Sequence, residues 1–120
     1  DTNFLIYIVK HRIVDELKSL KPELVVPVQV FNEIKKINEK SMGKNKEYSS
    51  LALTLIENWR KEGILSIAGS EKRYADEALL QIAIKDKIIT ATLDKVLIQK
   101  LKKAKIGILK IRQKKYLMFD

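Results

Sequence analysis

Ile88-Ile89-Thr90-Ala91-Thr92-Leu93-Asp94 decides the fold class of this chain. The apolar, β-branched run from Ile88 to Thr92 has the length and composition of a buried strand. It ends at Asp94, which stands where a helix N-cap would, ahead of a helical pattern that turns Val96, Leu97 and Leu101 inward. A strand that delivers a carboxylate at its carboxyl end and then enters a helix is the unit of a parallel α/β sheet. That edge is where open α/β sheets build their sites.

The same unit recurs on either side. Ile64-Leu65-Ser66-Ile67 predicts a strand, Gly69-Ser70-Glu71-Lys72 a loop, and Asp76, Leu79, Leu80 and Ala83 one face of the next helix. Further upstream, Lys21-Pro22 ends a helix marked by Ile13, Val14, Leu17 and Leu20, and Leu24-Val25-Val26 predicts a buried strand. Pro27 suits the first turn of a helix in which Val30, Ile34 and Ile37 share a face. On a wheel of about 100° per residue, Glu33 lies about 40° to the side of Ile37, at the edge of that face. Ser41-Met42-Gly43-Lys44-Asn45-Lys46 predicts a mobile loop. Leu51, Leu55, Ile56 and Trp59 make the following helix amphipathic, with Gly63 ending it, and that face suits either core packing or a homodimer. Ile106-Gly107-Ile108-Leu109-Lys110-Ile111 predicts the last strand. Strand and helix in alternation over 120 residues predict a single domain, residues 1–120, of three α/β/α layers around a parallel sheet.

Four acids share this placement beside apolar runs: Asp1, Glu33, Asp76 and Asp94. Each has an ordinary explanation. Asp76 and Asp94 suit helix caps, Glu33 a solvated helix face, and Asp1 a loop. Capping does not explain why Asp76 shares a face with Leu79, Leu80 and Ala83, or why Glu33 borders an apolar stripe. Gathered at one sheet edge, such carboxylates repel; at about 4 Å and an effective dielectric near 20, a pair costs about 4 kcal/mol. A hard divalent cation, Mg²⁺ or Mn²⁺, removes that cost with oxygen ligands. Asn3 and Thr92 are small polar residues able to orient a carboxylate or hold a metal-bound water. Glu77 and Asp86 fall on polar faces and are expected in solvent. Asp1 reaches the sheet edge only if a strand runs into it, so several residues upstream of Asp1 are expected.

The charge of +9 narrows the partner. Nine basic residues and no acid lie between Lys95 and Phe119, leaving 15 basic against 15 acidic residues elsewhere. A basic quarter on a neutral domain predicts a polyanionic partner. The chain has no cysteine, which excludes disulfides, thiolate zinc sites and cysteine nucleophiles, and its single histidine, His11, cannot build a multi-histidine centre. No apolar run approaches a membrane span, and a cytoplasmic protein is the expectation.

Together, Asp1-Thr2-Asn3, Glu33, Ala75-Asp76-Glu77-Ala78-Leu79 and Thr92-Leu93-Asp94 resemble the PIN-domain (PilT N-terminus) ribonucleases along the whole chain. Lys21–Pro27 and Ile106–Leu117 look most like the archaeal single-domain branch related to the endonucleases of small-subunit rRNA processing. The resemblance implies a five-stranded parallel sheet, whose first strand is missing from this chain, and metal-dependent endonuclease activity on RNA. It implies Asp1, Glu33, Asp76 and Asp94 as the catalytic, metal-binding quartet, with Asn3 and Thr92 in support. Leu93 departs from the pattern, which often has Asn there. Arg12, Lys95, Lys100, Lys103, Arg112, Lys114 and Lys115 are the candidate grips on the RNA backbone, with Tyr116 a weaker candidate. A toxin ribonuclease of the VapC type, with an antitoxin partner, uses the same quartet, and a non-cleaving RNA-binding module keeps the same fold. A receiver-like or phosphatase-like domain is disfavoured because no paired Asp-x-Asp motif occurs.

Overall fold

A computed structural model describes residues 1–120. Asp1 opens α1 (Thr2–Lys10): its side chain accepts from the Phe4 amide at 2.7 Å, the bond that relieves an unpaired N–H at a helix start. The chain continues through α2 (Val14–Ser19), β1 (Leu24–Pro27), α3 (Val28–Lys40), α4 (Gly43–Lys61) and β2 (Leu65–Ala68). Then come α5 (Ala75–Asp86), β3 (Thr90–Ala91), α6 (Lys95–Lys103), β4 (Ile108–Arg112) and β5 (Tyr116–Phe119).

The alternating α/β order holds, but the single five-stranded parallel sheet does not. β1 pairs in parallel with β2, and a second sheet runs β3-β4-β5, in which β5 is antiparallel to β4. β4 is therefore not the last strand. A turn at Gln113 and Lys114, φ 51° and 63°, sends the chain back, so that Arg112 faces Tyr116 and Leu109 faces Phe119. The turn carries no glycine, and for that reason it is silent in the sequence. Replacing Gln113-Lys114 by Asn-Gly is expected to stabilise the protein by about 0.5–1 kcal/mol, read as a higher urea midpoint, because left-handed backbone strains residues that carry a Cβ.

The facing edges of β1 and β3 are not bonded to each other; a groove of about 480 Å³ runs between them. It explains three departures from expectation. Val25 is 37% exposed rather than buried, the strand at Ile88–Thr92 shrinks to Thr90–Ala91, and Ile89 is 53% exposed. The core is divided in the same way. Phe4, Ile8, Val30, Ile34, Ile56 and Trp59 pack in one cluster, and Ala83, Leu97, Leu101, Ile106 and Ile108 in another.

Other corrections are local. The expected mobile loop Ser41–Lys46 is mostly helix, since α4 starts at Gly43, where φ is +62°. Asn38 anchors that start by donating to the Ser49 and Ser50 hydroxyls at 2.9 and 2.7 Å. Ala52, Ile56 and Trp59 form the buried face of α4, with Leu51 turned to solvent. Pro27 is the last residue of β1 and precedes α3 instead of lying in its first turn. Val96 is exposed, leaving Leu97 and Leu101 to anchor α6. Tyr116, the weaker candidate for an RNA contact, is exposed. No helix is long and apolar enough to cross a membrane.

Candidate metal centre

The acids meet where the elements turn at the carboxyl ends of the strands. Asp1, Glu33, Asp76 and Asp94 all line one open pocket of about 370 Å³ together with Thr2, Asn3, Tyr74 and Ala75. No lysine, arginine or histidine is among these eight residues. Each acid arrives on a different element: Asp1 and Asp94 at the starts of α1 and α6, Glu33 in α3, Asp76 in the first turn of α5. Helix starts carry partial positive charge, which offsets part of the repulsion among the carboxylates.

Two of the acids are held rigidly. Asp1 uses Oδ1 to accept from the Phe4 amide, and its Oδ2 accepts from the Thr92 hydroxyl. Thr92 is fully buried, and its Oγ1 in turn accepts from the Asp94 amide at 3.0 Å. One hydroxyl thus ties the start of α1 to the start of α6. Asp94 Oδ1 accepts from the Val96 and Leu97 amides at 2.8 and 3.0 Å, leaving Oδ2 without a protein donor. Asp94→Ala is therefore expected to cost about 1 kcal/mol in a denaturant melt, whereas Asp94→Asn keeps the cap and costs little.

Glu33 and Asp76 have no ion pair and no side-chain hydrogen bond. Asp76 is not the N-cap of α5, so the ordinary capping explanation does not hold for it; that place belongs to Tyr74. Gln29 holds the surrounding backbone, donating from Nε2 to the Ser70 and Lys72 carbonyls at 2.9 and 2.6 Å. These bonds tie the first turn of α3, and with it Glu33, to the loop that leads into Asp76.

The donor set suits a hard divalent cation. Every charged side chain in the pocket is a carboxylate, and no basic side chain pairs with Glu33 or Asp76. No three acids approach closely enough to enclose an ion by themselves. Mg²⁺ does not require that, because it is commonly held by one or two carboxylates and completes its shell with water and phosphate oxygens. Thr2 adds a further sign. It is 3% exposed, and its Oγ1 finds no hydrogen-bond partner in the protein. A buried orphan hydroxyl is costly unless something else in the pocket satisfies it.

Thr2 and Tyr74 are the pocket residues that sequence reasoning missed. Thr2 reads as an ordinary first-turn residue between Asp1 and Asn3. Tyr74 carried a usable signal, an aromatic residue immediately before Ala75-Asp76; it is 60% exposed at the pocket rim, with Arg73 5.5 Å from its ring. Of the expected supporting residues, Asn3 lines the pocket and Thr92 acts from beneath it through Asp1. The candidate RNA grips Arg12, Lys95, Lys100, Lys103, Arg112, Lys114 and Lys115 are all exposed and lie outside the acid pocket. Asp120 pairs with Lys110 and Lys102 at 2.9 and 3.1 Å. Those contacts hold its carboxyl below the usual range and occupy two lysines of the basic quarter.

Comparison with known proteins places these features in context. Residues 1–114 match the family model described as PIN like domain. Ribonuclease VapC4 of Methanocaldococcus jannaschii is 35% identical over 124 residues, spanning 97% of this chain and 90% of that protein.

Proposed function

The chain belongs to the PIN-like domain family, and from that premise we propose that it is a divalent-metal-dependent endoribonuclease. The observation that carries this reading is the convergence of Asp1, Glu33, Asp76 and Asp94 in one pocket without a basic side chain. Asp1 and Asp94 hold the principal Mg²⁺ or Mn²⁺, and Glu33 and Asp76 complete the negative wall or retain a second, weaker ion. When bound, the ion supplies an acidified water and positive charge beside the phosphoryl oxygens.

The protein residues position the reaction. Thr92 locks the Asp1 carboxylate in place, and the cap at α6 does the same for Asp94, so neither has to reorganise as charge develops on the phosphate. Glu33 and Asp76, unpaired and exposed, repel a phosphate that approaches without a counterion. Tyr74 at the rim offers an aromatic face for a base of the substrate strand. The exposed lysines and arginines of the last quarter hold the backbone, setting affinity more than sequence choice.

The likeness to Ribonuclease VapC4 favours a VapC-type toxin ribonuclease, with an antitoxin protein as partner, over a role in ribosomal RNA maturation. Co-purification with the product of an adjacent small gene distinguishes the two. The primary test is incubation of an end-labelled single-stranded RNA with Mn²⁺, Mg²⁺ or EDTA. Metal-dependent cleavage leaving 5′-phosphate and 3′-hydroxyl ends supports the nuclease. Salt-sensitive binding without cleavage at any metal concentration, on generic and structured RNAs alike, would instead make it a binding module.

A further inference from the structure

Lys72-Arg73-Tyr74 leads from β2 into α5 and reaches the rim of the acid pocket, well apart in sequence from the basic last quarter of the chain. All three side chains are exposed. Tyr74 lines the pocket beside Ala75 and Asp76, while Lys72 and Arg73 precede it without lining the pocket themselves. Neither cation has an acidic partner. The Arg73 guanidinium lies over the Tyr74 ring, 5.5 Å from its centre, and Tyr74 is still 60% exposed. A cation over an aromatic face is a weak contact in water. It does not bury the ring, which is left free to stack.

The loop that carries these groups is fixed from two sides. Gln29 in α3 donates from Nε2 to the Ser70 and Lys72 carbonyls. The Ser70 hydroxyl donates to Gln81 Oε1 in α5 at 2.7 Å and accepts from the Lys72 amide at 3.1 Å. Gln81 Nε2 donates to a Glu71 carboxylate oxygen at 2.9 Å. Helices on both sides thus hold the segment immediately before Arg73. A loop held in this way loses little freedom when a ligand docks on it.

The groups on this loop select their ligand. An aromatic face takes a nucleobase only when that base is splayed out of a helix, because bases stacked in a duplex have both faces covered. A guanidinium offers a planar fork of donors that matches a phosphate, and an ammonium adds a compact point charge. The four carboxylates repel the phosphates of any strand that approaches them, and cations beside the pocket offset that repulsion.

We propose that Lys72, Arg73 and Tyr74 form a nucleotide subsite at the rim of the acid pocket. Tyr74 stacks an unpaired base next to the scissile phosphate, and Arg73 and Lys72 hold the phosphates that flank it. The subsite rests on the reading of the acid pocket as the cleavage site and adds to it the substrate class, RNA that is single-stranded at the cut itself.

The test uses short single-stranded RNAs, each with 2-aminopurine at one position, bound in Mg²⁺ to the full-length protein carrying Asp94→Asn so that cleavage is slowed. Fluorescence is expected to fall at one or two adjacent positions only. Adding Tyr74→Ala is expected to abolish that fall and weaken binding by about 10-fold, the scale of one base–aromatic stack, whereas Tyr74→Phe keeps both. Arg73→Ala is expected to lower the log–log salt slope by about 0.7, one phosphate contact on a single strand. Annealing the RNA to its complement is expected to remove the effect of Tyr74→Ala. Unchanged binding and fluorescence in Tyr74→Ala overturn the subsite, as does an equal dependence on Tyr74 with duplex RNA. Cleavage by the protein with Asp94 intact is measured in parallel. Tyr74-dependent stacking without cleavage would sink the nuclease reading and leave a nucleotide-binding subsite; metal-dependent cleavage without such stacking would sink the subsite alone.

Discussion

Asp76→Asn is expected to lower metal-dependent RNA cleavage by at least about 100-fold, the scale on which loss of one charge-stabilising group shows in a rate. Its melting temperature should stay the same or rise slightly. Asp76 makes this the cleanest of the four acid tests. Asp1 caps α1 and holds Thr92, and Asp94 caps α6, so changing either disturbs structure as well as charge. Asp76 has neither a hydrogen bond nor an ion pair to lose. Removing one of four like charges from an open, hydrated pocket relieves about a few tenths of a kcal/mol of repulsion. Activity and stability therefore move in opposite directions, a signature that a structural role cannot produce. Full activity in the variant, at saturating Mn²⁺ and Mg²⁺, would remove Asp76 from the site.

Replacing Arg112, Lys114 and Lys115 together by alanine should weaken binding of single-stranded RNA by about 100-fold at 0.1 M salt. The estimate follows from counterion release, about 0.7 in the log–log salt slope for each phosphate contact on a single strand, summed over three contacts. The slope itself should fall by about 2, and the loss should be similar for RNAs of different sequence. These three residues sit around the β4–β5 turn, all exposed, and none is engaged by Asp120. Lys102→Ala and Lys110→Ala should weaken binding less, because each lysine is already paired. An unchanged salt slope in the triple variant would place the RNA elsewhere on the surface.

The alternation of elements and the four acids were legible because both are written in local pattern. Apolar runs ending at Pro27, Ala68 and Ala91, each followed by a helix, mark the carboxyl edge where the acid pocket lies. The β4–β5 hairpin was not legible, because its turn uses Gln113 and Lys114 where glycine or asparagine would have announced it. Nor could local pattern reveal that β3 has only two residues, since strand length depends on a neighbour distant in sequence. Within the site, Thr92 was visible as a small polar residue, but its link between Asp1 and the Asp94 amide depends on contacts 91 residues apart. Thr2 was hidden by its ordinary place in a first helical turn.

Arg12, Lys21, Lys87, Lys105 and Lys114 all have φ between 50° and 63°, a conformation that elsewhere falls mostly to glycine. The chain has only four glycines to spend on its turns. Side chains at these five joints leave the unfolded chain fewer conformations to explore, at the cost of local strain in the folded one. The strain is largely enthalpic and nearly constant with temperature, while the entropic benefit scales with it. Glycine at these joints should thus help most in the cold and progressively less on heating, so that basic residues in left-handed turns make the fold relatively more tolerant of warmth.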